Sequence, residues 1–506
     1  MRCIDSTLRL GALALLPVLL AGCMLGPDYV RPEVARDALQ APSLHRAGAA
    51  KVIATPPANR WWDELHDAEL SWLVDQALSN SPSLRAAGGR LRAARELSAQ
   101  RRAERLPQVG AMAGGAYVQA PDAIKDSVRG IGDEIAAGDP QTGQAVRNAA
   151  DDLDTDIYLA GFDASWELDL FGRRRRAVEQ SLAEAEASEA ELADAQVQLA
   201  AEVGQVYANY RGLQARIEIA RRSADASAQA LALTEQRRAR GAASDLEVER
   251  ARGQLQQNQA TQLPLEAQRD AALDQLALMI GREPGALDAR LAAAAPLPSL
   301  PAQVKVDDPA SLIRRRPDVR QAERALAGSN AQIGQALSAY FPQVSLFGSI
   351  AAVATSPGDL GPDSASTLVA PFLRWSVLDF GRVRAQVAQA RAGTEARTAA
   401  YEGTVLAALQ DANTALSNYG AARRQVVVAQ QAQASADRSA SLMDQRYKAG
   451  AASLIDALDV QRQQLTAHDN AAQAQVQQVV NYIALQKSLG LGWQGANAAQ
   501  PATAAR

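Results

Sequence analysis

Apolar residues return at alternating intervals of four and three along Leu199, Val203, Val206, Tyr210, Leu213, Ile217, Ala220 and Ala224, the spacing of a heptad seam. The seam lies within residues 173–240, which lack proline and are rich in Ala, Gln, Glu and Arg. That composition predicts one continuous helix, and residues 382–449 read the same way. At a rise of 1.5 Å per residue each is about 100 Å long. Gly241 and Gly450 follow as C-caps that reverse the chain. Return helices over about 244–279 and 453–488, the second with a seam in Leu465, Ala472, Val476, Val479 and Ile483, measure about 54 Å. Helices opened by Pro82 and Pro317 and reaching about 105 and 340 add about 36 Å. A return helix set end to end on a Pro-opened helix nearly equals a long one. Each half of the chain therefore reads as a long rod beside a two-piece rod.

Elsewhere the period drops to two. Tyr158, Ala160, Phe162, Ala164, Trp166, Leu168 and Leu170 alternate with Leu159, Gly161, Asp163, Ser165, Glu167 and Asp169. One face is apolar and aromatic and the other largely acidic and polar, the pattern of a membrane β-strand. Val344, Leu346 and Ile350 alternate with Gln343, Ser345 and Ser349, and weaker matches lie near 108–119 and 367–379. Trp166, Phe171, Trp375 and Phe380, with Tyr340 and Phe341, fall at segment ends, where an aromatic girdle would lie. Four strands cannot close a barrel, and lipid does not tolerate open edges. Copies must therefore share one barrel. Two would give eight strands and a filled interior; three would give twelve and a lumen.

The chain is a duplication. Pro82 and Pro317 open matching helices that Pro107-Gln108-Val109 and Pro342-Gln343-Val344 close, both after 25 residues. Trp166 to Gly172 and Trp375 to Gly381 share W-x4-F-G, Gly241-Ala-Ala-Ser244 repeats as Gly450-Ala-Ala-Ser453, and Ile280-Gly281 matches Leu489-Gly490, all at an offset of 209. The first half carries 26 extra residues between its Pro and its Trp. They fall within 120–157, which is rich in Asp and Gly and reads as a surface loop.

Composition narrows the chemistry. A formal charge of −4 with 21% charged residues lacks the basic concentration of a nucleic-acid binder. His45, His66 and His468 are scattered, with no paired spacing for a metal, and no catalytic set or cofactor site is visible. Arg2 and Arg9 precede a short apolar run, Leu10–Leu20, that ends in Leu20-Ala21-Gly22-Cys23. This is a secretory signal too short to span a bilayer as a helix, and its end resembles the bacterial lipobox, in which the cysteine is lipidated. Residue 24 is Met rather than the Asp of an inner-membrane retention signal, which favours the outer membrane. The cations Arg173–Arg176, Arg382 and Arg384 sit at helix starts, where they oppose the dipole. Anionic lipid headgroups are one partner that would favour them there.

With the lipobox and Gly26-Pro27-Asp28-Tyr29, the duplicated Pro openings, both P-Q-V and W-x4-F-G marks and Tyr447-Lys-Ala-Gly450, the chain resembles the TolC/OprM family of outer-membrane factors, in its lipoprotein (NodT-like) branch. The resemblance covers about residues 60–492. It implies a mainly α fold with a β-barrel part: three chains forming a 12-stranded outer-membrane barrel continued by a periplasmic α-helical barrel. It also implies a passive exit duct of a tripartite efflux pump for drugs or small solutes. The partners would be a periplasmic adaptor docking near Gly241 and Gly450 and an inner-membrane transporter of the RND type. No nucleic acid and no cofactor enter beyond a lipid on Cys23. By the same resemblance Asp456 and Asp459, at i and i+3 past the turn, face the periplasmic aperture, where threefold symmetry would gather six carboxylates. Tyr447 matches the gate tyrosine, with Glu247 as its acidic partner, while the gate arginine position is Ala452. A type I protein-secretion duct shares the architecture. A non-conducting periplasmic coiled-coil lipoprotein is the rival from another class.

The expected division is a signal peptide at 1–22, a lipid-anchored segment at 23–65 and a first repeat at 66–284 with strands about 108–119 and 158–170. An equatorial linker follows at 285–312, then a second repeat at 313–492 with strands about 343–352 and 367–379, and a disordered tail at 493–506.

Overall fold

The computed structural model describes residues 24–151 and 153–493. The expected signal peptide, Cys23 and the tail beyond Trp493 lie outside the described residues. In chain order the main elements are α1 (Ala68–Asn80), α2 (Pro82–Ala103), β1 (Gln108–Val118), α3 (Asp122–Ala136), α4 (Pro140–Asp151), β2 (Thr155–Leu168), α5 (Arg173–Ala239), α6 (Asp245–Met279), α7 (Pro309–Arg315), α8 (Pro317–Ser338), β3 (Gln343–Ala354), β4 (Ala365–Arg374), α9 (Arg382–Lys448) and α10 (Leu454–Ser488). The chain forms two compact units. Among the described residues, one comprises 24–29, 95–182 and 327–394; the other comprises 30–94, 183–326 and 395–493.

The first unit is built on an antiparallel sheet in the order β1-β2-β3-β4. Register carries the sequence alternation across it. Phe162 faces Ile350, Ala164 faces Gly348, Trp166 faces Leu346 and Leu168 faces Val344, so one side is a continuous apolar band. Much of it is exposed in the single chain, as at Phe162, Ile350, Val109, Val369 and Leu373. The other side carries Asp163, Ser165 and Glu167 opposite Ser349, Phe347 and Ser345. The outer strands β1 and β4 each have one unpaired edge, which lipid does not tolerate. Strand β4 ends at Arg374, so the fourth strand is shorter than the expected 367–379. Past it, Asp379 turns the chain into α9 by accepting the Val383 amide at 2.9 Å.

Residues 120–157 correct the expectation of a loop. They fold as the helical hairpin α3–α4 and then enter β2. Small residues permit the close approach: a Cβ on Gly143 would lie 2.4 Å from that of Ala136. Arg129 pairs with Asp151 and Arg147 with Asp133 across the two helices.

In the second unit the heptad seam of α5 is interior. Leu199, Val203, Val206, Tyr210, Ile217, Ala220 and Ala224 are all buried. The Tyr210 hydroxyl donates to the Leu291 carbonyl at 2.5 Å, and Gly212 lets α10 approach so closely that a Cβ there would meet Val476 at 2.2 Å. The two-piece rods form as the spacing predicts. Gly281, with φ +72°, ends α6 against Asn80 and Pro82 at the start of α2. Gly490, with φ +70°, ends α10 against Arg316, one residue before α8. Arg316 fastens the second joint by donating to the Ser488 carbonyl at 2.9 Å while pairing with Asp318 and Asp411. Within 285–312 a short helix, Asp288–Leu291, and a two-residue strand paired in parallel with Val52–Ile53 precede α7.

Candidate functional site

The two helix-tip turns are built alike. After α5 the Ala242 amide donates to the Arg237 carbonyl and the Gly241 amide to that of Arg238, both at 2.8 Å. After α9 Ala451 bonds Arg446 at 2.8 Å and Gly450 bonds Tyr447 at 3.0 Å. Both are Schellman caps, and Gly241 and Gly450 share a φ of +74° that L side chains resist. A capping box then opens each return helix. The Ser244 amide and hydroxyl donate to Glu247 at 2.7 and 3.0 Å, and Glu247 returns its amide to Ser244 Oγ. Ser453 and Asp456 repeat the pattern, with the hydroxyl bond at 2.7 Å.

This sets where the expected gate residues stand. The Glu247 carboxylate is engaged by Ser244, and those bonds hold its pKa below the usual carboxylate range. It is not bonded to Tyr447, so the expected hydroxyl–carboxylate lock does not form in the single chain. Tyr447 is buried and packs with Ala251 and Leu454, while the Arg237 guanidinium lies 5.2 Å from its ring centre. Arg237 is the partner that sequence reasoning missed; the basic run Arg237-Arg238-x-Arg240 was the available signal. Asp456 is exposed. Asp459 pairs with Arg462 and accepts from Gln463 at 2.8 Å. Both lie on the first turns of α10.

The aromatic marks are joints between helix and strand. The Trp166 indole N–H donates to the Arg105 carbonyl at 2.9 Å and that of Trp375 to the Tyr340 carbonyl at 3.0 Å. Each W-x4-F-G mark thus closes onto the end of the Pro-opened helix two residues before its P-Q-V mark. Phe171 stacks on Phe341 with centres 4.6 Å apart. Phe380 is 94% exposed.

The lipid-headgroup expectation for Arg173–Arg176 is corrected by pairing within the chain. Arg173 bonds Glu167, Arg174 bonds Glu104 and Glu167, and Arg175 bonds Asp169. Arg176, 1% exposed, reaches the Leu25 and Gly26 carbonyls at 3.0 Å and pairs with Asp28 and Glu179. The segment next to Cys23 is thereby clamped to the start of α5. Gly334 makes room for it, since a Cβ there would lie 2.5 Å from the Leu25 carbonyl oxygen.

No helix among the described residues is long and apolar enough to cross a membrane; the apolar sheet face is the surface suited to lipid. Comparison with known proteins agrees. The sequence matches the family described as "Outer membrane efflux protein" over residues 73–282 and 309–491. It is 32% identical to outer membrane protein OprJ of Pseudomonas aeruginosa over 481 residues, covering 95% of both chains. It is 27% identical to nodulation protein T of Rhizobium leguminosarum bv. viciae, over 97% of this chain and 95% of that one. The solved outer-membrane channel OprN superposes with a TM-score of 0.82 at 33% identity, over 93% of this chain and all of the other. The chain belongs to the outer membrane efflux protein family, and is one of three copies whose strands close a twelve-stranded channel in the outer membrane above a helical periplasmic tunnel.

Proposed function

We propose that this channel is the exit duct of a tripartite pump, lipid-anchored through Cys23, met at the Gly241 and Gly450 turns by a periplasmic adaptor and fed by an inner-membrane transporter of the RND type. It performs no chemistry and needs no cofactor. Solutes pass down the gradient the transporter creates. The observation that carries the reading is the pair of matching tip turns beside Tyr447. Each tip satisfies its own backbone at both helix ends, so its shape is fixed before any partner arrives. Tyr447 and Arg237 bridge α9 and α5 just behind them. Asp456 and Asp459 of three copies supply six carboxylates to the aperture, and a ring of like charge selects cations.

Planar-bilayer recording of the purified trimer tests this. Conductance that is cation-selective in the native protein and loses selectivity in Asp456→Asn/Asp459→Asn is the expected result. A conducting channel with unchanged selectivity removes the two aspartates from the aperture, and a protein without conductance removes the duct.

A further inference from the structure

The hairpin α3–α4 joins β1 to β2 at the Val118–Thr155 end of the sheet, away from the end where β2 leads into α5. With the helices in the periplasm, that end is extracellular. The base of the hairpin is fixed: Lys125 pairs with Asp154 at 2.6 Å, and the Ala120 amide donates to the same carboxylate at 3.0 Å.

Helix α3 carries two rows with the same 4-3-4 spacing. Lys125, Arg129, Gly132 and Ala136 form the row turned to α4: Gly132 is buried, a Cβ on it would meet Arg147 at 2.8 Å, and Arg129 reaches Asp151. Ile124, Val128, Ile131 and Ile135 form the other row, one residue away and so turned by about 100°. Ile124 and Ile131 are 52% and 54% exposed. The α4 helix thus covers the small-residue row and leaves the β-branched row with Ile124 and Ile131 open to water and Val128 and Ile135 half-buried.

We propose that the occupant of this seam is the same helix of the neighbouring copies. The three α3 helices pack along Ile124, Val128, Ile131 and Ile135 as a parallel three-helix bundle over the extracellular mouth, each flanked by its own α4. Three observations converge on this occupant. β-Branched residues, Ile above all, at both seam positions favour three- and four-stranded coils over two-stranded ones, and the barrel supplies three copies. The hairpin rises from β1, an edge strand of the single-chain sheet, so it is continuous with the seam where copies meet. A 15-residue helix is marginal alone, but anchoring three of them on one rim raises their local concentration enough to compensate. The result is a lid over the extracellular mouth of the duct. The inference rests on the three-copy barrel.

Its test uses the full-length protein in outer membranes. Ile131→Cys is oxidised with copper phenanthroline, with the wild type and Asp126→Cys, which lies on the far side of α3, as controls. Unheated and heated samples share one gel. A trimer before heating, with covalent dimers in Ile131→Cys beyond those in both controls, is the expected result. A trimer whose Ile131→Cys dimers do not exceed the controls overturns the bundle while leaving the barrel intact. A monomer before heating overturns the barrel and the bundle together. In parallel, Ile124→Cys should react with a membrane-impermeant maleimide on whole cells at least tenfold more slowly than Asp126→Cys. Equal rates would overturn the bundle. Protection without cross-linking would also overturn it, because the seam would then be covered by something other than its own copies.

Discussion

At the scale of single residues, the tips and the anchor clamp are governed by hydrogen bonds whose loss has a predictable sign. Ser244→Ala and Ser453→Ala each remove a capping-box acceptor and should cost about 1 kcal/mol of local helix stability, read as faster hydrogen exchange at the first amides of α6 and α10 with the remaining helix unchanged. Glu247 makes the first cap pH-dependent. Its folded pKa is depressed, so its contribution is fully present above the unfolded value, about 4.3, and is lost as pH falls through the lower folded value. Exchange at residues 247–249 should therefore be flat from pH 7 to pH 5, after correction for intrinsic rates, and accelerate only below about pH 4. At the anchor, Arg176→Ala deletes bonds to two backbone carbonyls and two carboxylates. The segment from Met24 to Tyr29 should then become accessible to protease, at a cost of about 1–3 kcal/mol. Gly334→Ala should release the same segment by steric contact with Leu25; a segment equally resistant in both variants would show that the clamp is not what holds it. The hydroxyl and the ring of Tyr447 can be separated. If ring packing closes the gate, Tyr447→Phe keeps the resting conductance of the native channel and Tyr447→Ala raises it several-fold in bilayer recordings.

At the scale of elements, contacts between helices set the energetics. Gly212 sits where α5 meets α10, and the Cβ of Gly212→Ala would overlap Val476. Overpacking of this kind costs about 1–3 kcal/mol, and the melting temperature of the trimer should fall, with partial recovery in Gly212→Ala/Val476→Ala. The long helices and their joints were legible in the chain because heptad spacing and the absence of proline act over tens of residues. The hairpin α3–α4 was not. Its seam is only four residues deep and lies among Asp, Gly and Ala, whose local preference for turns outweighs so short a period. The Tyr447–Glu247 bond failed for a readable reason: Ser244-Asp-Leu-Glu247 is itself a capping-box sequence, and the nearer bond satisfies the carboxylate first. Partners of Arg173–Arg175 were also in view, since Glu167 lies at the end of β2 and Asp169 just past it. Alternation marked those acids as a polar face without showing that the chain turns back on them.

At the scale of the whole molecule, a sheet with two unpaired edges and an apolar band cannot persist as a monomer in a bilayer. Detergent-purified protein should therefore run as a trimer that collapses to monomer on heating, and a stable monomer would contradict the barrel. The tips carry a mechanical consequence. The orphaned amides and carbonyls at each turn are taken up by neighbours within a few residues, through Gly241, Ser244 and Glu247 at one and Gly450, Ser453 and Asp456 at the other. A tip can therefore swing outward as a stiff peg without stranding a polar group away from water. In the proposed gate, resistance to dilation would then rest on the Tyr447 ring and the Arg237 guanidinium behind the tip, and a modest pull from outside would be enough to unlatch the iris.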